Sequence, residues 1–500
     1  MISVLNHLQQ LSGNKLIVLV LCTGLLASCE LFRPIQSPTQ NKDEKEKEEL
    51  DPIGGGRVYN PETGEFESSS EVLVAAMDTV KWREVSTNEY PPITSGDIAV
   101  NSGGNTDVVI SEGDRGTQFL STYNVSLFLP FLTDRFTGAE PNLDPSSRWA
   151  IEYYSGAKLA MEQLNLDGIN LNVNVFDTKA NPAELQRLFQ NESEKIKKSH
   201  LLMGTVKAEC VLATANYAKE NKIPFVSPFT ASSSITAENP YYIQINPTLR
   251  AHLKALVKHA KAAYNSDQIL IVTPDNPDAI GRMKIIQELN AELAGNTYAP
   301  KFEEVIIKDK SPNLDKLNLN TLVRKGRETV FILPIWEDKN FIYAFLRKAY
   351  VADLQDQIVI YGMRQWQSRT FEDMEFSYLE NLEVHISSEF FVDGYAVDVR
   401  NFKQRYFEQY GTPPSQEAFR GYDNMLYFGR MLNKHGTKFY EFFEEERLPF
   451  FHTRYEFEPI LKTTATTLRN ERSQPVERYE NGFIHILKFS DYYFQPINNE

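Results

Sequence analysis

Cysteine is scarce in this sequence, with three in 500 residues, too few for a disulfide-built scaffold. Positive charge is not in excess either. The 52 Lys and Arg against 67 Asp and Glu give a formal net charge of −15, which repels phosphate backbones and speaks against a nucleic-acid binder. The longest uncharged apolar run, Leu16–Ala27, falls short of the roughly 20 residues that a membrane-crossing helix needs. No HExxH, GxSxG or Walker-type glycine loop occurs, so the familiar metallopeptidase, serine-hydrolase and nucleotide-phosphate motifs are missing. His252 and His259 share a helical pattern but stand too far apart for the usual i, i+4 metal pair. No metal, cofactor or enzymatic activity is expected. With 25 glycines, 25 prolines and 42% hydrophobic residues, the chain is neither collagen-like nor wholly disordered. Its length asks for more than one domain.

What is present begins with an address. Lys15 precedes the Leu16–Ala27 run, which suits the h-region of a secretory signal peptide. The run ends in Leu26-Ala27-Ser28-Cys29, which resembles the lipobox of bacterial lipoproteins. That resemblance implies cleavage after residue 28 and a lipid on Cys29, an anchor that holds the chain without spanning the bilayer. Cys22 then leaves with the peptide and Cys210 is the one free thiol, expected as a small buried hydrophobe. Glu30 follows the lipid site in place of the aspartate that marks inner-membrane retention in well-studied lipoproteins. The expected location is therefore the outer membrane, facing the periplasm.

Residues 29–58 read as a flexible tether, since the charge run Asn41–Glu49 has nothing apolar to bury and Gly54-Gly55-Gly56 follows it. Residues 59–120 read as mostly irregular. From Tyr123 the pattern alternates. Val125–Leu129, residues 171–175, His200–Met203 and Ile223–Val226 read as strands, and Trp149–Leu164, Pro182–Ile196 and Val211–Lys219 as helices. The alternation restarts with helix Leu249–Tyr264 and runs through strands Gln268–Val272, Val305–Ile307, Thr329–Leu333 and Gln357–Tyr361. Helices Pro277–Leu293 and Phe341–Tyr350 lie between them. Sustained β-α alternation implies right-handed crossovers and mainly parallel sheets. So many units exceed one open sheet, and the expected fold class is α/β with two doubly wound, Rossmann-like lobes.

Val125–Pro130, Ser155-Gly156-Ala157-Lys158-Leu159-Ala160, Leu202–Thr205, Asn221–Pro228, Tyr410–Pro414 and Ala418-Phe419-Arg420-Gly421-Tyr422-Asp423 resemble the type I periplasmic binding protein family, its leucine/isoleucine/valine-binding branch in particular. The similarity runs over roughly residues 120–490. It implies two lobes joined by three hinge crossovers, here near Ile245–Pro247, Ser387–Val392 and Gly436–Phe450. Residues 121–246 with 388–440 would form the N-terminal lobe, and 247–387 with 441–500 the C-terminal lobe. It also implies a substrate-binding protein of an ABC transporter, with a small polar, amino-acid-like ligand held in a cleft between the lobes. Hydroxyls and backbone amides of the loops after the strands would hold that ligand.

The candidates that the resemblance points to are Thr205, Lys207, Thr230 and Ser232 in one lobe and Asp275, Trp336, Glu337 and Trp366 in the other. Each has a plainer reading. Lys207 and Glu209 could pair with each other, and Ser232–Ser234 could cap a helix. The tryptophans could be interdomain packing instead of a stacking wall, and Asp275 could cap the helix near Pro277 instead of holding an ammonium. Tyr422 and Asp423 read as structural. The chain departs from the family at Lys207-Ala208-Glu209, where hydroxyls are usual, and at Ile280-Gly281, where an aromatic precedes the glycine. The other function open at this point is an envelope regulator or scaffold, because activators of penicillin-binding proteins have a similar lobe pair.

Overall fold

Runs such as Ile269–Pro274 and Ile358–Gly362 are apolar and almost wholly buried, which a strand tolerates only inside a parallel sheet covered on both faces. The computed structural model describes residues 57–59, 66–68, 109–136, 144–295, 299–354, 356–367, 375–461 and 475–497. The apolar run Leu16–Ala27, Cys29 and the charge run Asn41–Glu49, on which the expected signal peptide, lipid anchor and tether rest, lie outside the described residues. Within the first hundred residues, β1 (Arg57–Tyr59) pairs antiparallel with β2 (Phe66–Ser68). In the remaining body, β3 (Val109–Glu112) and β4 (Gln118–Leu120) form a second antiparallel pair, where the sequence suggested irregular chain.

The first lobe holds β5 (Tyr123–Leu129), β6 (Leu171–Asp177), β7 (Leu201–Gly204), β8 (Phe225–Ser227) and β9 (Tyr242–Gln244). The second holds β10 (Ile269–Pro274), β11 (Glu303–Ile307), β12 (Thr329–Ile332), β13 (Ile358–Gly362) and β14 (Val384–Ser388). Near the end come β15 (Leu448–Pro449), β16 (Arg454–Tyr455), β17 (Phe457–Leu461), β18 (Val476–Asn481), β19 (His485–Ser490) and β20 (Tyr493–Pro496). The first sheet runs β17-β18-β9-β8-β7-β5-β6 and the second β11-β10-β12-β13-β14-β19-β20. Every neighbour pair is parallel except β17/β18, β14/β19 and β19/β20. The doubly wound, two-lobed α/β class expected from the alternation is the architecture observed.

Helices α1 (Arg148–Leu166), α2 (Pro182–Asn191), α3 (Ser193–Lys197) and α4 (Ala208–Asn221) belong to the first lobe. Helices α5 (Leu249–Ala263), α6 (Pro277–Leu293), α7 (Lys339–Val351) and α8 (Phe376–Asn381) belong to the second. The chain then returns to the first lobe through α9 (Val397–Tyr410) and α10 (Gln416–His435). Helices α1 and α10 meet backbone to backbone. A Cβ at Gly156 would stand 1.9 Å from the Ala418 carbonyl oxygen, and one at Gly421 would stand 1.9 Å from that of Tyr153.

The chain passes between sheets at 245–248 and 389–396, as the crossovers near Ile245–Pro247 and Ser387–Val392 anticipated. The third passage differs. It falls between β18 and β19, at 482–484, and not at Gly436–Phe450. Residues 436–461 and 475–481 stay with the first lobe because Phe439, Phe443, Tyr455 and Phe457 are buried in its core and β18 pairs with β9. The β3–β4 pair straps onto the same region. Thr117 donates its hydroxyl to the His435 carbonyl at 2.7 Å, and the Arg115 guanidinium lies 4.3 Å over the Phe442 ring.

Candidate ligand cleft and hinge

In open α/β sheets, ligands gather at the loops beyond the carboxyl ends of the strands. In the first lobe, Asp177 at the end of β6 shapes one such loop. Its carboxylate accepts from the backbone N–H groups of Phe131, Leu132, Thr133 and Lys179 and from the Thr133 hydroxyl. Burial opposes its charge, but these donors outweigh burial and hold the carboxyl below its usual range.

After β7 the backbone turns left-handed at Gly204, Thr205 and Lys207, with φ of +116°, +58° and +58°. A Cβ at Gly204 would lie 2.2 Å from the Phe128 carbonyl oxygen, so glycine is required there. Non-glycine residues in this region carry about 1–2 kcal/mol of strain each. The strained turn delivers Thr205 fully buried, its hydroxyl without a hydrogen-bond partner, ahead of α4. Lys207 and Glu209 are both exposed and no ion pair joins them. Thr230 is half-buried and Ser232 exposed. The Thr230 hydroxyl accepts from the Ser232 N–H, and the Ser232 hydroxyl from the Ser234 N–H. No helix starts at this run, so its hydroxyls organise a turn and cap nothing.

In the second lobe the structure gathers Trp336, Glu337 and Trp366. The Trp366 indole is buried, donates to the Ile335 carbonyl at 2.7 Å and covers Gly362, where a Cβ would lie 2.6 Å from the ring. Arg282 of α6 closes over the other two. It donates to both Glu337 carboxylate oxygens at 2.7 and 2.9 Å and to the Pro334 carbonyl at 2.6 Å, and stacks 4.2 Å from the Trp336 ring centroid. This bidentate fork fixes the 334–337 loop. Arg282→Gln should lower stability by about 2 kcal/mol, since Glu337 stays half in water. Hydrogen exchange at residues 335–337 should quicken, and unchanged exchange there would contradict this role. Asp275 is exposed, and Asn276 supplies the α6 cap by accepting from the Asp278 and Ala279 N–H groups. Among the described residues no hydrogen bond or ion pair joins the candidates of one lobe to those of the other.

The charged group that does join the lobes is one the sequence did not single out. Glu389, 8% exposed, follows β14 within the second passage. Arg364 from the loop after β13 pairs with its carboxylate, Arg420 of α10 donates to it at 3.3 Å, and His252 of α5 lies 3.9 Å away. Burial opposes the charge, and the two arginines outweigh it, so the carboxyl stays below its usual range. The same burial lowers His252 to about 4, with Glu389 pulling the other way. Beside this group, Asp423 accepts from both the backbone N–H and the ring Nδ1 of His452, at 2.8 and 2.5 Å, which is the structural role expected of Asp423. The other signalled histidine, His259, instead bonds the Tyr361 hydroxyl at 2.7 Å.

Among the described residues no group of three or more His, Cys, Asp or Glu suits a metal ion, and no helix is long and apolar enough to cross a membrane. A groove of about 650 Å³ on the second lobe, lined by Asp309, Ser311, Phe341, Arg347 and Tyr378 among others, touches none of the candidates. Cys210 is buried, as expected.

A family model described as periplasmic binding protein matches residues 137–299, about a third of the chain. No curated protein matches the sequence. Among solved structures, a branched-chain amino acid ABC transporter protein from Rhodospirillum rubrum superposes with a TM-score of 0.53 at 13% identity, covering 75% of this chain and 100% of that one. An ABC transporter substrate-binding protein from Desulfitobacterium hafniense, in complex with Leu, gives a TM-score of 0.45 at 13% identity over the same shares. The two-lobed body of this chain, with its two mainly parallel sheets and three connecting passages, has the type I periplasmic binding protein fold.

Proposed function

We propose that this chain is a lipid-anchored, non-catalytic solute-binding protein that captures a small polar, amino-acid-like ligand by closure of its two lobes. The observation that carries this reading is the pairing of two doubly wound sheets through three passages gathered at one buried polar hinge. Lobes so joined can rotate about the passages and bury a ligand between their strand-end loops. Thr205, Lys207, Thr230 and Ser232 would meet the ligand from the first lobe, and the Trp336–Glu337 loop from the second. Because Arg282 already neutralises Glu337, Asp275 is the acidic candidate left to meet an ammonium group.

The anchor in this reading is a lipid on Cys29, placing the body on the outer membrane toward the periplasm. Cys29→Ser should move the protein from the detergent-extracted membrane fraction to the soluble one. Retention in the membrane would refute the anchor. For the ligand, thermal unfolding of the full chain against the common amino acids and short peptides should show saturable stabilisation by one class of them. A ligand at 100 times its Kd adds about 2.7 kcal/mol, a rise in Tm of several degrees.

A further inference from the structure

Three charged or titratable side chains meet at Glu389, and the four residues come from places that must move relative to one another if the lobes close. Arg420 belongs to α10, whose neighbours Phe419 and Tyr422 lie in the first-lobe core. Arg364 follows β13 of the second sheet, in a loop at the carboxyl edge, and Gln367 of that loop donates to the Ser388 hydroxyl at 3.0 Å. His252 sits in the first turn of α5, immediately after the first passage. Glu389 itself lies in the second passage. Arg420 is further fixed by the Phe390 ring, 4.9 Å from its guanidinium carbon, and by Glu417 at 3.9 Å.

We propose that Glu389 is an interlobe latch, a buried carboxylate that binds Arg420 of the first lobe and Arg364 of the second and so sets the balance between lobe arrangements. Without its charge, the largely buried Arg420 guanidinium and the partly exposed Arg364 guanidinium are left side by side with no carboxylate between them. Like charges so placed repel, more than they would in open water because one of the pair is buried, and the arrangement that separates them gains population. Because Arg364 stands in a strand-end loop, a ligand that contacts this loop acts on the latch directly, which couples occupancy to hinge position. The latch deepens the solute-binding reading and rests on it for that coupling, but its effect on lobe separation exists without any ligand.

The test is an interlobe distance distribution measured by pulsed electron resonance in the full chain. Nitroxides are carried on ketone-bearing residues replacing the exposed Lys197 and Lys284, one in each lobe. The ligand-free wild type should give one narrow distribution. Glu389→Gln and Arg420→Gln should raise the population of wider separations roughly tenfold, while Arg420→Lys keeps the charge and stays near wild type. Arg364→Gln alters a side chain that is 37% exposed, so the variant folds, and its distribution should broaden less. If these variants are folded by circular dichroism and superimpose on wild type, the latch is wrong. If the two buried-site variants fail to fold, an unchanged Arg364→Gln distribution refutes it equally. A shift in distance with no ligand found keeps the latch and removes the solute reading. Ligand binding with unmoved distances does the reverse.

Discussion

Gly421→Ala should destabilise the body by at least about 3 kcal/mol and lower its urea midpoint accordingly. Overpacking a core usually costs about 1–3 kcal/mol because side chains can shift. Here the new Cβ would stand 1.9 Å from the Tyr153 carbonyl oxygen and 3.1 Å from the Ala157 nitrogen, so helix backbones must separate. Alanine's intrinsic helix advantage over glycine, about 1 kcal/mol, is too small to offset that. Gly281 supplies the contrast. It also lies inside a helix, but nothing stands within 4 Å of its Cβ position, so Gly281→Ala should leave stability unchanged or raise it by up to about 1 kcal/mol. Equal effects of the two substitutions, followed by urea unfolding, would contradict the close helix crossing.

Acid should weaken the fold well above the pH at which carboxylates titrate. Burial lowers His252, His385 and His485 to about 4 each, against about 6.5 in an unfolded chain. Between those values the unfolded state binds more protons, so stability falls as pH falls. The contribution is complete above about pH 6.5 and is lost toward pH 4. By pH 5 the loss is about 2 kcal/mol per histidine. The depressed carboxyls of Glu389 and Asp177 add to the loss only at still lower pH. Glu417, raised by burial, works the other way, one group against three. Urea midpoints should therefore drop clearly from pH 7.5 to pH 5, and His252→Gln should shallow the slope. Identical midpoints at the two pH values would mean that these histidines are not buried and neutral in the folded protein.

Much of the fold was legible because parallel strands buried on both faces, such as Ile269–Pro274, announce themselves locally, and so do the helices between them. Ser155–Ala160 and Ala418–Asp423 are two of the six stretches that carried the family resemblance. Physically, they are the two faces of one helix crossing, each contributing the glycine that the other's backbone requires. The third passage was misplaced for a different reason. Strands β17 and β18, Phe457–Leu461 and Val476–Asn481, are charged and half-buried and include Pro459. Their membership of the first sheet depends on pairing with β9, more than 200 residues away in the chain. An edge strand can carry a proline, and nothing local says which sheet it joins.

The site divides the same way. Loop positions after strands follow from topology, so Thr205 and Trp336 could be placed in advance. What each side chain touches could not. Nothing near Glu337 or Trp336 in sequence reveals Arg282, which reaches them from α6. Trp366 proved to be a buried prop for the Ile335 carbonyl, a partner 31 residues away. The Glu389 group draws on residues 252, 364, 389 and 420, a spacing that carries no motif. It becomes visible only when both lobes are assembled.

Closure of the two lobes on a small polar solute can be followed by isothermal titration calorimetry of the full chain against the common amino acids and short peptides. One class of ligand should bind at a single saturable site, with a heat capacity change that is negative because apolar surface is buried on closure. The same ligand should bind at least about tenfold more weakly to Thr205→Ala, which removes a buried hydroxyl that has no partner within the protein. No binding heat at any temperature across the whole panel would contradict closure on such a solute.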